Sequence, residues 1–207
     1  GAGITAMQRI TALQRGELVP YTKQQAEHFK SAKELIRSDR GGLVFMPEIG
    51  LHTDVAEIDF VSMYPSIIDR FNISPETVKI DGEQSIVAPE IGIPIDQSKV
   101  GLLPETLHPL LTKRIAMKRR LAGWNHQDCR YRPLKSRSNA LKWLLVVAFG
   151  YAGYKRARFG RIEAHEAITA YSREAMLQAK ELAEEAGFEV LHLYVDGLWI
   201  KKSGVSK

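Results

Sequence analysis

Two aspartates stand out as groups that could do chemistry. Asp59 lies in "VAEIDFV", residues 55–61, and Asp196 lies in "FEVLHLYVDGLWIKK", residues 188–202. The second stretch reads as a tight hairpin. Leu191, Leu193 and Val195 alternate as one buried face, Asp196-Gly197 is a turn signal, and Leu198 and Ile200 alternate on the return strand. The first stretch reads as a strand with Ile58 and Phe60 on one side and Glu57 and Asp59 on the other. If the two strands are neighbours in one sheet, the carboxylates converge and would bind a divalent cation. Hard oxygen ligands with room left for water and phosphate suit Mg²⁺, and Mn²⁺ could substitute. Two such ions would stabilise the attacking and leaving oxygens of a phosphoryl or nucleotidyl transfer. Spacing alone also allows a plainer pair, a turn former and a helix cap.

The charge distribution points the same way. The net charge is +5, but residues 113–161 hold 14 Lys or Arg and one acid, Asp128. The rest of the chain holds 15 basic and 23 acidic residues. A bias that strong repels itself and implies a polyanion partner, nucleic acid or nucleotide phosphates. The single cysteine, Cys129, excludes an internal disulfide and fits a reducing compartment. No apolar run approaches the ~20 residues of a membrane span. The six histidines have no zinc-ligand spacing with the cysteine. The three tryptophans, Trp124, Trp143 and Trp199, read as packing residues. No signal peptide is visible, and an opening Gly-Ala in place of Met suggests a piece of a longer protein.

Several elements must position these groups. Residues 23–38 read as a helix, broken by Arg-Gly-Gly at 40–42. After the Asp59 strand, Ser62 and Pro65 open a short helix. Residues 74–101 read as irregular or short strands. A helix is expected from about Glu105 to Ala122, with Leu107, Leu111 and Ile115 as its apolar stripe and Arg114 and Lys118 on one face. A second is expected from about Pro133 to Phe149, with Lys142, Val146 and Phe149 on one face and "LLVVAFG" buried. A long helix from about Ile162 to Ala186 should bury Ile168, Tyr171, Ala175, Ala179 and Leu182, and Gly187 should end it. The pattern describes an α+β sheet layer with a helical projection.

"EIDFVSMYPSII" closely resembles the first polymerase motif of family B DNA polymerases, D-F-x-S-L-Y-P-S-I-I, differing at Met63. "RGGLVFMPEIGL" resembles the Gly-Gly segment before that motif, "TKRIAMKRR" the first fingers helix, and "ALKWLLVVAFGYAGY" the second. The resemblance implies a palm whose antiparallel sheet is flanked by helices, with an inserted two-helix fingers subdomain. It divides the chain into residues 1–100, the N-terminal palm with a leading helix; 101–152, the fingers; and 153–207, the C-terminal palm with a metal hairpin. The family's exonuclease and thumb domains have no counterpart here. The implied partners are primed template DNA and a dNTP, with no membrane, in a cytoplasmic, nucleoid-associated setting. Carried over, Asp59 and Asp196 are catalytic and hold two Mg²⁺ with the carbonyl of Phe60. Ser62, Met63 and Tyr64 meet the triphosphate and sugar. Arg114, Lys118 and Lys142 grip the triphosphate, and Lys155 and Arg158 fall where the family contacts DNA.

The pattern also breaks. The family hairpin carries D-T-D, and the gapless register makes Asp196 the second aspartate, Val195 the Thr and Tyr194 the lost first aspartate. Val146 and Val147 replace Asn-Ser, and Phe149 replaces Tyr, in the second fingers helix. These departures resemble the divergent archaeal paralogue of the family. They leave two functional readings: a weakened DNA polymerase, or an inactivated one retained as a DNA-binding or subunit scaffold.

Overall fold

The computed structural model describes residues 1–23, 29–38 and 40–204. In chain order these form α1 (Ala2–Gln14), α2 (Ala32–Ser38), β1 (Val44–Phe45), β2 (Val55–Asp59), α3 (Met63–Arg70), β3 (Ser85–Val87) and β4 (Pro94–Asp96). Then follow α4 (Leu102–Ala122), α5 (Tyr131–Ala152), α6 (Ile162–Glu185), β5 (Glu189–Tyr194) and β6 (Gly197–Lys201). The fold is α+β. A four-stranded antiparallel sheet runs in the order β1-β5-β6-β2, and β3 and β4 form a separate ribbon. The strands that carry the two aspartates are therefore neighbours: Asp59 pairs with Gly197, the residue after Asp196.

The β5–β6 hairpin supplies one wall of the core. Leu193 is fully buried, and Leu191, Leu198 and Ile200 are nearly so. Leu193, Leu198 and Ile200 join Ile67 and Ile68 of α3, Ile168 and Met176 of α6, and Leu107 and Leu145 of the long helix pair in one apolar cluster. Burying side chains of this size contributes about 1.5–3 kcal/mol each, so the cluster anchors sheet and helices as one unit.

The structure corrects several expectations. The turn is Val195-Asp196, one residue earlier than expected, because Tyr194 pairs directly with Gly197. Burial along α6 stops at Met176, so Leu182 lies exposed beyond it. Within the apolar run of α5, Leu145 and Ala148 are buried but Val146 and Val147 are exposed. Trp143 is 69% exposed and is not a packing residue. Of the helix expected over 23–38, residues 24–28 lie outside the described residues, and the described helical part begins at Ala32. The leading helix α1, which buries Ile4, Gln8 and Ala12, has no strong apolar period to announce it.

The start of α4 also moves, from Glu105 to Leu102, and the cause is tertiary. Gly101 makes no side-chain cap. Instead Asn72 Oδ1 accepts from the Gly101 N–H at 2.7 Å, Ser74 Oγ from Leu103 N–H at 3.0 Å, and a Glu76 carboxylate oxygen from Leu102 N–H. These are the helix-end donors that otherwise lack partners. A side chain at 101 would place its Cβ 2.5 Å from that of Ser74, so glycine is required by the close approach. The loop at 72–76 thus fixes the helix that carries Arg114.

α6 is anchored by ions. Glu163, 3% exposed in its first turn, accepts from Lys79 Nζ at 2.6 Å and Arg161 Nε at 3.3 Å. Burial pushes the Glu163 carboxyl up, but the Lys79 hydrogen bond, its own N–H and both cations more than offset this, and its pKa lies below the ordinary 4.5. A depressed carboxylate contributes stability above its unfolded pKa and loses it as pH falls through the folded value. Glu163→Gln is therefore expected to lower stability by about 1–3 kcal/mol at pH 7. The gap between parent and variant should close below pH 4.5 in thermal melts. A gap that persists unchanged in acid would show that the ion pair is not its source.

Candidate active site

β2 ends at Asp59 and the chain turns sharply into α3. Ser62 sits in the left-handed region at φ 55 and leads directly into Met63. Pro65 falls in the first helical turn, where its missing N–H costs nothing. The free amides of that helix start suit an anion. On the other side, the Phe60 N–H donates to the Asp196 carbonyl at 3.0 Å, which ties the strand end to the hairpin tip.

These pieces face a cleft of about 170 Å³. Asp59, Phe60, Ser62, Met63, Tyr64 and Asp196 line it from the sheet and α3, and Arg114, Lys118, Lys142 and Val146 line it from α4 and α5. Two carboxylates thus share one cleft with three cations drawn from two helices. Arg114 is the most enclosed of these, 8% exposed, and donates to Ser62 Oγ. Its Nε has no partner among the described residues. Burial lowers the Arg114 pKa and the Asp59 charge raises it, with burial the stronger.

The Asp196 carboxyl titrates above its ordinary value. Burial is the main cause, the like charge of Asp59 adds to it, and the hairpin backbone and Lys142 oppose it. Two hard oxygen donors that repel one another fit a divalent cation, which would supply the missing positive charge. Among the described residues no group of three or more His, Cys, Asp or Glu converges, so a third side-chain ligand is not in place. Tyr194, where the resemblance implies a carboxylate, is 55% exposed and does not line the cleft.

One arrangement escaped the sequence reading. Tyr64 stacks on Phe149 at 4.1 Å between ring centroids, and Phe149 stacks on His165 at 4.3 Å. Burial pushes the Tyr64 phenol up, against a hydrogen bond to Ser172 and with help from the Asp196 charge. The stack joins α3, α5 and α6 beneath the cleft. Its signal in the sequence was aromatic residues on three separate helices, which no local spacing links. Lys155 and Arg158 do not reach the cleft. Lys155 is exposed, and Arg158 lies 5.8 Å from the Tyr21 ring centroid in a separate hollow with Pro75 and Gly160.

Comparison with known proteins gives this geometry a context. The sequence model of DNA polymerase family B matches residues 10–196. DNA polymerase 2 of Saccharolobus solfataricus is 32% identical over 207 residues, covering 100% of this chain and 30% of that protein. The DNA polymerase of Archaeoglobus fulgidus is 34% identical over 192 residues, covering 93% and 23%. The solved structure of the family B DNA polymerase from Pyrobaculum calidifontis superposes with a TM-score of 0.71 at 31% identity, covering 97% of this chain and 26% of that one. The chain thus spans roughly a quarter of the relatives it matches.

Proposed function

Because the chain belongs to DNA polymerase family B, we propose that it is the palm and fingers portion of a DNA-directed DNA polymerase that adds a dNTP to a primer 3′-hydroxyl on template DNA. The observation that carries the reading is one cleft lined by Asp59 and Asp196 together with Arg114, Lys118 and Lys142. Residues 1–100 and 153–207 act as palm, and 101–152 as fingers.

In this reading Asp59, Asp196 and the Phe60 carbonyl hold divalent cations, Mg²⁺ or Mn²⁺, which supply charge stabilisation at the attacking and leaving oxygens. The chain's own groups do the positioning. Arg114, Lys118 and Lys142 bind the triphosphate and offset its charge as pyrophosphate leaves. The amides that open α3 receive phosphate oxygens. Tyr64, backed by Phe149, presents a flat ring to the sugar and crowds a 2′-hydroxyl. The cations of Lys155 and Arg158, outside the cleft, meet the DNA backbone.

The test uses the full-length protein with primed template and Mg²⁺ or Mn²⁺. Incorporation of dNTP is expected with at least one metal. Lys142→Ala is expected to raise the apparent KM for dNTP about tenfold and to change primed-DNA affinity less than about threefold. Equal loss of DNA affinity at unchanged KM would instead support a pure DNA-binding module.

A further inference from the structure

The tip that carries Asp196 is under strain. Val195, the first turn residue, is β-branched yet sits at φ 56. Such a conformation is costly for a β-branched residue and persists only where its surroundings over-determine it. Beyond the Phe60 bond on one flank, the hold comes from residues 42–43. The Val195 N–H donates to the Leu43 carbonyl at 2.9 Å. Gly42 lies so close that an added Cβ would meet both Val195 methyls at 3.0 Å. β1 then continues along β5 through Val44 and Phe45.

That bracing segment is itself fixed by one side chain. Arg173, at 3% exposure on α6, donates through Nη1 to the Gly41 carbonyl at 2.8 Å. Its Nε and Nη2 both donate to Glu90 Oε2, at 3.0 and 2.8 Å. The guanidinium is a rigid planar fork, so Glu90 sets its orientation and Gly41 receives its remaining arm. We propose that Arg173 is a positioning residue for the proposed polymerase site: through Gly41, Gly42 and Leu43 it holds the strained Val195 turn and thereby sets Asp196 against Asp59. The inference rests on the polymerase reading for its consequence, but its geometry stands on these contacts alone.

A buried arginine paired with a glutamate could serve stability only, and the two roles separate experimentally. Three variants are made in the full-length chain: Arg173→Met, Glu90→Gln and Gly42→Ala. Glu90→Gln weakens the ion pair but leaves a hydrogen-bonding oxygen and the Gly41 contact. Gly42→Ala leaves Arg173 and Glu90 intact but drives a methyl at Val195. Two readouts are taken, hydrogen exchange at the Val195 amide and the Mg²⁺ concentration for half-maximal incorporation.

Arg173→Met and Gly42→Ala are both expected to speed Val195 exchange at least about tenfold and to raise the Mg²⁺ requirement about 10–100-fold, as loss of support behind a metal ligand does. Glu90→Gln is expected to lower the melting temperature while shifting both readouts less than about twofold. If Arg173→Met does not fold, Gly42→Ala carries the test. If Arg173→Met and Gly42→Ala both leave Val195 exchange and Mg²⁺ dependence as in the parent, the positioning role is overturned and Arg173 is a stabilising ion pair. A parent without incorporation sinks the polymerase reading, and Val195 exchange alone then decides the positioning.

Discussion

Asp196→Asn is expected to lower nucleotide incorporation by the full-length protein at least about 10³-fold, while Tyr194→Phe leaves it within about twofold. The reason is position. Asp196 lines the cleft with Asp59, its backbone is tied to Phe60 at 3.0 Å, and its carboxyl feels the Asp59 charge. Asparagine keeps the shape but removes the anion, so bound cations stay undercompensated. Tyr194 is more than half exposed and does not line the cleft, so its ring is expected to be dispensable. Tyr194→Asp, which restores a carboxylate at the altered position, is expected to hold activity or raise it. Single-nucleotide extension of a primed template in Mg²⁺ and in Mn²⁺ measures all three. A harmless Asp196→Asn in an active protein would remove Asp196 from the site. A parent that binds primed DNA without extending it in either metal would make the scaffold reading the better one.

The parts legible in the sequence were those with local periodicity or a local motif. The alternation of Leu191, Leu193, Leu198 and Ile200 gave the hairpin, because each strand's inward face is decided by its own residues. Arg114 and Lys118, four apart, could be placed on one helix face before any fold was known. Other features depended on distant chain. The α4 start follows from Asn72, Ser74 and Glu76, about 30 residues upstream, and the helix has no cap residue of its own. The Val195-Asp196 turn was missed because Asp-Gly is the better turn signal, and Val195 reaches its left-handed conformation only with support from Gly42 and Leu43. Convergence of Asp59 and Asp196 could be stated only as a condition on sheet order. The strand order β5-β6-β2 meets that condition.

Arg114→Met is expected to reduce kcat/KM for dNTP about 10²–10³-fold without loss of stability. Burying an arginine normally makes its removal destabilising, since the partners are left unpaired. Here the balance differs. Arg114 donates to a serine hydroxyl, has no salt bridge among the described residues, and its Nε has no partner among them. Desolvation of that charge outweighs the opposing Asp59 charge in the free protein, so an anion entering the cleft is expected to stabilise it further. A group held at such a cost beside Ser62 and Asp59 suits the proposed role of receiving phosphate. Methionine fills similar volume with no charge to desolvate, so the melting temperature is expected to hold or rise as activity falls. Arg114→Lys is expected to recover only part of the loss, because one ammonium cannot serve Ser62 and two phosphate oxygens in a planar fork. Steady-state kinetics, primed-DNA binding and thermal melts on the same preparations separate the outcomes. If Arg114→Met lowers the melting temperature and dNTP use together, the side chain is structural. If it weakens primed-DNA binding as much as dNTP use, its partner is the DNA rather than the triphosphate.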